Sequence, residues 1–164
     1  MSEPPVTPEG VENTVLALDN QLCFALYAAN RAMTSLYRPL LAELGLTYPQ
    51  YLVMLVLWEA EAAGQEVSVS WLGQRLRLDS GTLTPLLKRL AAADLVTRQR
   101  SGADERVVTI ALTTQGRDLK ARAKDVPVRL LCQSGMAPER LQALREELKT
   151  LLSLMTHGGV SSGE

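Results

Sequence analysis

Between Ser68 and Leu112 the spacing of apolar residues switches from helical to alternating, and that switch restricts the available folds more than any other feature of the chain. Leu83, Leu86, Leu87 and Leu90 recur in steps of three and one, which gathers them on one side of a helix from Ser80 to about Ala92. Asp79 stands before it as an N-cap, and Ser68 caps a shorter helix that runs to Leu76. Arg77-Leu78-Asp79 joins the two, giving a helix-turn-helix pattern. Pro85 falls inside the second helix and removes one backbone bond, so a local distortion is expected there. Further on, Leu95 to Arg100 and Arg106 to Leu112 read as strands, the second rich in β-branched Val107, Val108, Thr109 and Ile110. The turn-forming run Ser101-Gly102-Ala103-Asp104-Glu105 connects them as a hairpin loop. A helix-turn-helix followed directly by a β-hairpin predicts a winged helix in a mainly α fold.

The flanking segments are helical. From Leu16 to about Tyr37, Leu22, Leu26, Ala29, Met33 and Leu36 keep helical spacing. Pro39 and Gly45 are expected to punctuate the chain and leave Leu40 to Leu44 as a short second helix. Thr47-Tyr48-Pro49-Gln50 has the pattern of a capping box with proline in the first turn, and the apolar run Tyr51 to Trp58 predicts a buried central helix. Ala62 to Glu66 is expected to be a loop. Thr113 or Thr114 opens another helix, broken near Pro127 and ending around Gly135, and Pro138 opens the last. In that last helix Leu141, Leu144, Leu148, Leu151 and Met155 step by three and four, as in a coiled-coil seam. The organisation predicted is a flexible start (1–15), N-terminal dimerisation helices (16–46), a winged helix-turn-helix (47–112), C-terminal dimerisation helices (113–156) and a flexible tail (157–164). Two copies of the chain are expected to join through their terminal helices.

At 164 residues and 46% hydrophobic, the chain is long enough for one domain with a proper core. No apolar run approaches the roughly 20 residues of a membrane span, and Met1 to Glu12 lacks the pattern of a signal peptide, so a cytoplasmic protein without membrane contact is predicted. Two cysteines do not make a structural disulfide framework. The single histidine, His157, leaves a zinc site or a Ser-His-Asp triad without ligands or base, so neither metal nor cofactor is expected.

Net charge is −1, but its distribution is uneven. Residues 75–106 carry seven basic and four acidic side chains, against ten and fourteen in the remainder. An ordinary solvated surface would fit this excess too; the ordered helix-turn-helix and wing favour double-stranded DNA. With the leucines inward, Gly81, Thr82, Thr84, Lys88 and Arg89 face outward. Thr82 and Thr84 suit phosphate or base edges, Ser80 and the free amides at the helix start suit phosphate, and Lys88 and Arg89 suit backbone contact. In the wing, Arg106 is expected to enter a minor groove with Asp104 orienting its guanidinium, while Arg98 and Arg100 bind backbone.

Cys23 lies in Leu22-Cys23-Phe24-Ala25-Leu26-Tyr27, with Tyr37 fourteen and Tyr48 twenty-five positions later. A lone helical cysteine is commonly a small packed hydrophobe, and such tyrosines are commonly core residues. Phenol hydroxyls able to surround a sulfur, in a chain built to grip a duplex, suggest instead a thiol switch. The thiolate is the attacking species. No lysine or arginine flanks Cys23 and Asp19 stands one turn earlier, so hydroxyl donors from Tyr37 and Tyr48 are the plausible stabilisers. Leu22, Phe24 and Leu26, with Tyr27, would line a pocket suited to an organic hydroperoxide. Attack on the peroxide yields a sulfenic acid, which a second thiol can trap. Two other readings stand beside this one: a regulator that senses a small phenolic ligand in a dimer cleft, and a thiol peroxidase, in which the winged helix would have no place.

The run Asp79-Ser80-Gly81-Thr82-Leu83-Thr84-Pro85-Leu86-Leu87-Lys88-Arg89-Leu90, with Asp104-Glu105-Arg106 in the wing, resembles the MarR family of bacterial repressors. Leu22 to Tyr27, Tyr37-Arg38-Pro39-Leu40-Leu41 and Leu46-Thr47-Tyr48-Pro49-Gln50-Tyr51 are similar to its organic hydroperoxide resistance repressors. The resemblance is dense from about Leu18 to Leu112 and looser beyond; Ala60 to Val67 matches least. It implies a homodimer, not an enzyme, that represses a gene for a thiol-dependent peroxidase and releases a pseudo-palindromic operator on oxidation. It assigns Cys23 as the sensing cysteine, Tyr37 and Tyr48 as partners of its sulfur from the other subunit, and Cys132 as the resolving thiol of a two-cysteine class. Closing an intersubunit disulfide would then re-space the two recognition helices.

Overall fold

In the computed structural model, which describes residues 14–157, a 3₁₀ turn at Leu18–Asn20 precedes α1 (Leu22–Ala42) and α2 (Tyr48–Ala62). A two-residue strand β1 (Val67–Ser68) leads into α3 (Val69–Leu76) and α4 (Ser80–Ala92), followed by β2 (Val96–Arg100) and β3 (Val108–Leu112). The chain ends in α5 (Thr114–Ala123), α6 (Val126–Ser134) and α7 (Pro138–His157). None of the described helices is long and apolar enough to cross a membrane.

Local chemistry sets most boundaries. At the start of α2 the Gln50 amide donates to Thr47 Oγ1 at 3.4 Å while Gln50 Oε1 accepts from the Thr47 amide at 2.9 Å, a reciprocal capping box. Ser68 Oγ accepts from the Trp71 amide, Asp79 Oδ1 from Thr82 and Thr113 Oγ1 from Gly116, so α3, α4 and α5 are each capped by the residue before them. At the other ends, Gly45, Gly64 and Gly135 take the left-handed conformation that turns the chain out of a helix. After α1, the Leu46 amide reaches back to Leu41 O and Gly45 to Ala42 O, closing the last carbonyls.

Two expectations for the N-terminal segment are corrected. Helix does not run unbroken from Leu16: Asn20 Nδ2 donates to the Thr14 carbonyl, Gln21 Nε2 donates to the carbonyls of Val15 and Ala17, and Gln21 stays extended, so α1 begins at Leu22. Nor does Pro39 divide α1, which continues through it to Ala42. The only bond lost is to the carbonyl four residues back, on exposed Ser35, while Leu40, Leu41 and Leu44 are buried and hold the last turns down. Pro85 likewise lies within a continuous α4. The expected flexible segments fall largely on residues 1–13 and 158–164, outside the described residues; His157 closes α7.

The core is built around α2. Tyr51, Val53, Met54, Leu57 and Trp58 are buried and meet Leu40 and Leu41 of α1, Leu72 of α3, and Leu83, Leu87 and Leu90 of α4. The sheet is antiparallel in the order β1-β3-β2, with Val67 opposite Ile110 and Val96 opposite Leu112. Its inward residues Val67, Val96, Ile110 and Leu112 join the same core. β1 has no signal of its own in the sequence, because two residues carry no period; it exists only through the pairing of Val67 with Ile110 and Ser68 with Thr109 in β3.

The start of α5 is locked onto this frame. Trp58 Nε1 donates to Gly116 O at 2.8 Å, Thr113 N to Leu95 O at 3.1 Å, and Thr113 Oγ1 to Asp94 O at 2.6 Å. A Cβ on Gly116 would overlap the Leu95 carbonyl oxygen, so only glycine permits this approach. Farther on, Arg129 of α6 grips Glu43 at the end of α1 with both nitrogens, at 2.7 and 2.8 Å, and Arg122 donates to the Glu43 carbonyl.

Candidate functional site

Two surfaces carry the residues singled out by sequence. The first is the exposed side of α4 and the wing. In α4 the four leucines are buried, while Ser80, Gly81, Thr82, Lys88 and Arg89 are exposed and Thr84 is half-buried, as the helical spacing predicts. Thr82 is engaged at both ends of its N-cap: its amide donates to Asp79 Oδ1 at 2.8 Å and its hydroxyl to Asp79 Oδ2 at 3.1 Å. Those bonds hold the Asp79 carboxyl below the usual carboxylate range and leave the Thr82 oxygen as an acceptor. In the wing, Arg98 and Arg100 on β2 and Arg106 in the loop are exposed.

Asp104 departs from its expected use. Its carboxylate accepts from the backbone amide of Arg106 at 3.0 Å, a bond two residues along the chain that folds the loop tip. Among the described ion pairs none joins it to a guanidinium, so it fixes the main chain beneath Arg106 and leaves that side chain to point by its own rotamers.

The second surface runs along α1. Cys23 is free and exposed near its start, with Phe24 half-buried and Tyr27 exposed one turn later. Arg31 Nη1 donates to the Tyr27 hydroxyl at 2.8 Å and its guanidinium lies 5.5 Å from the ring centre. This partner was missed in the sequence, although four-residue spacing on a helix is the signal that finds it. Tyr37 lies at the far end, its ring 4.8 Å from Tyr48 and 5.9 Å from Tyr51. Burial, with Tyr48 and Tyr51 beside it, raises the Tyr37 hydroxyl to about 12, and burial raises Tyr48 as well. Both phenols therefore keep their protons and act as donors.

The structure brings Tyr37 and Tyr48 together but does not bring Cys23 to them within one chain. Fourteen residues of continuous helix separate Cys23 from Tyr37 by about 21 Å at 1.5 Å per residue. Cys132, also free and exposed, sits on α6. Its neighbours on that helix, Leu130, Leu131 and Ser134, line an apolar cleft of about 670 Å³ with Met33 and Tyr48, so α6 faces the later half of α1. The rest of the cleft is the leucine face of α7, where Leu144 is 48% and Met155 beyond it 70% exposed. Leu18, Leu22, Tyr27 and Met33 at the opposite end of the chain are exposed as well. Among the described residues no cluster of ligating side chains could hold a metal ion.

Similarity to known proteins agrees with this architecture. Residues 35–123 match the family of the transcriptional regulator SarA/Rot. The organic hydroperoxide resistance transcriptional regulator of Bacillus subtilis is 49% identical over 140 residues, 85% of this chain and 92% of the relative. The fold superposes on AbfR of Staphylococcus epidermidis in its reduced, DNA-bound form with a TM-score of 0.70 at 32% identity, over 88% of this chain and 99% of that one. The disulfide form of AbfR covers 88% and 98% at 34% identity with a TM-score of 0.58. The chain belongs to the MarR-type winged helix-turn-helix transcriptional regulators and groups among them with the organic hydroperoxide resistance regulators.

Proposed function

We propose that the protein is a homodimeric repressor that binds operator DNA through α4 and the wing, senses organic hydroperoxides at Cys23 and releases DNA when that thiol is oxidised. The observation that carries the sensing site is the distance along α1. The paired phenols of Tyr37 and Tyr48 are held as donors, yet lie about 21 Å from the Cys23 of their own chain. Only a second copy can bring them to the sulfur of a Cys23. Exposed apolar side chains on both terminal helices supply the surface for that copy.

In the dimer the Tyr37 and Tyr48 hydroxyls donate to the Cys23 thiolate of the partner subunit. That thiolate attacks the peroxide oxygen; the O–O bond breaks, an alcohol leaves and a sulfenic acid remains. Phe24 and Tyr27 form the apolar approach for the organic part. Cys132 of one subunit then condenses with the sulfenic acid of the other, releasing water. Because disulfide geometry is narrow, the helices must move, and the two recognition helices lose the one-turn spacing a two-fold operator needs. The relatives support this reading: the Bacillus subtilis protein is named for organic hydroperoxide resistance, and AbfR has been seen reduced on DNA and in a disulfide form.

Gel shifts of wild type, Cys23→Ser and Cys132→Ser, before and after cumene hydroperoxide, test it. Wild type should release DNA, Cys23→Ser should stay bound, and Cys132→Ser should show whether the disulfide is needed for release. A second reading, a regulator of small aromatic ligands, is favoured by the apolar cleft beside Tyr48. Release of Cys23→Ser by phenolic compounds would select it.

A further inference from the structure

Five helix ends among the described residues leave the helix through a left-handed residue: three use glycine (Gly45, Gly64 and Gly135) and one, after α4, uses Asp94, whose short polar side chain tolerates that conformation. The fifth, at the end of α3, uses Arg77 at φ 56° and ψ 40°. A side chain with a Cβ is disfavoured there, and arginine lacks the short polar group that lets asparagine or aspartate tolerate it. Helix-dipole complementation does not explain the choice, because Arg75 already supplies a cation to the last turn of α3 and is itself paired with Glu59.

Position supplies the reason. Arg77 lines a groove of about 750 Å³ between the helix-turn-helix and the wing. Arg98 and Arg106 stand across it, and Ser70 and Gln74 of α3 add polar side chains. Asp79, the one carboxylate among the described residues lining the groove, is spent on Thr82. Five cations outside the groove, Arg75, Arg117, Arg129, Arg145 and Lys149, sit in ion pairs. Arg77, Arg98 and Arg106 have no ion pair among the described residues. Three unpaired guanidiniums around one groove, in a chain of net charge −1, are arranged for an anion from outside.

We infer that this groove seats a backbone phosphate of the bound duplex, and that Arg77 is a phosphate-contacting residue that grips the strand from the helix-turn-helix side while Arg98 and Arg106 grip it from the wing. This rests on the reading of the protein as a duplex binder and adds to it a residue outside α4 and the wing. Such a contact positions without reading sequence. It also accounts for arginine where glycine would relax the backbone: the conformation aims the side chain into the groove.

The inference makes stability and affinity move in opposite directions. Arg77→Gly, and Arg77→Asn as a second left-handed-tolerant variant, should melt about 2–4 °C above wild type. Their affinity for a fluorescent duplex, selected by the wild-type protein from a random-sequence pool, should fall roughly tenfold per subunit. The slope of log affinity against log salt should lose about 0.9 for each subunit on the duplex. Lys120→Gln, the same charge change on α5 away from the groove, should keep the wild-type slope. Equal salt slopes for Arg77→Gly and wild type would overturn the assignment, as would equal losses in Lys120→Gln and Arg77→Gly. Failure of the wild-type protein to retain any duplex would remove the duplex-binding reading itself.

Discussion

Replacing Gly116 by alanine tests how the recognition element is braced. An added Cβ overlaps the Leu95 carbonyl oxygen, which already accepts from Thr113 N, and comes within 3.2 Å of Leu112 Cδ2. Both neighbours belong to the frame, so the first turn of α5 must move. Overpacking of this kind costs about 1–3 kcal/mol. Movement also weakens the bonds from Thr113 N to Leu95 O and from Trp58 Nε1 to Gly116 O, at roughly 1 kcal/mol each. The better helix propensity of alanine returns about 1 kcal/mol. The net loss is about 3 kcal/mol, and for a domain of this size each kcal/mol shifts the midpoint by roughly 2–4 °C, so Tm should drop by about 6–12 °C. Thermal and urea melts followed by circular dichroism measure it, with tryptophan fluorescence reporting on Trp58. Gly102→Ala is the control, since nothing lies within 4 Å of its Cβ and it should change stability by less than about 0.5 kcal/mol. Should Gly116→Ala melt within about 2 °C of wild type, the close approach of α5 to Leu95 is not what holds this corner.

Other outcomes follow from the caps and the titrating groups. Thr47→Ala removes half of the capping box and should cost about 1 kcal/mol in a urea melt, with no change in cooperativity. Tyr37 is raised to about 12, so the folded state holds that proton more tightly than the unfolded state does. Its contribution is present below pH 10 and lost as pH climbs through 12; stability should fall across that window in wild type and less steeply in Tyr37→Phe. The Arg129 hydrogen bonds hold Glu43 below its usual 4.5, so its contribution is present above that pH and lost as pH falls through the lowered value. Melting curves of wild type and Glu43→Gln should therefore differ at neutral pH and converge in acid; a constant offset would assign the effect to something other than charge.

Sequence pattern carried furthest where structure is local. The capping residues Thr47, Ser68, Asp79 and Thr113 act on amides two or three positions away, and the inward leucines of α4 follow from period alone. β1 escaped notice because its reality depends on partners in β3. Pro39 misled because propensity weighs the lost bond but not the buried Leu40 and Leu41 that hold α1 together beyond it. Asp104 was assigned to a guanidinium when its nearer choice was a backbone amide two residues on. At the thiol site the residue types and the helical separation of Cys23 from Tyr37 were legible, but the pairing of Tyr37 with Tyr48 was not, since it depends on how the chain folds back beyond Pro39. The groove at Arg77 was invisible in one dimension: its guanidiniums come from the turn, a strand and a loop.

The continuity of α1 makes it a ruler. Cys23, Tyr27 and Arg31 stand on graduations four residues apart, and Tyr37 sits at a set mark farther along the same rod. Substituting a residue between the marks leaves the scale intact. Inserting or deleting one residue turns everything beyond it by about 100° and shifts it by 1.5 Å, which carries one end of the rod onto a different face from the other. Variation in this stretch should therefore change letters and conserve length.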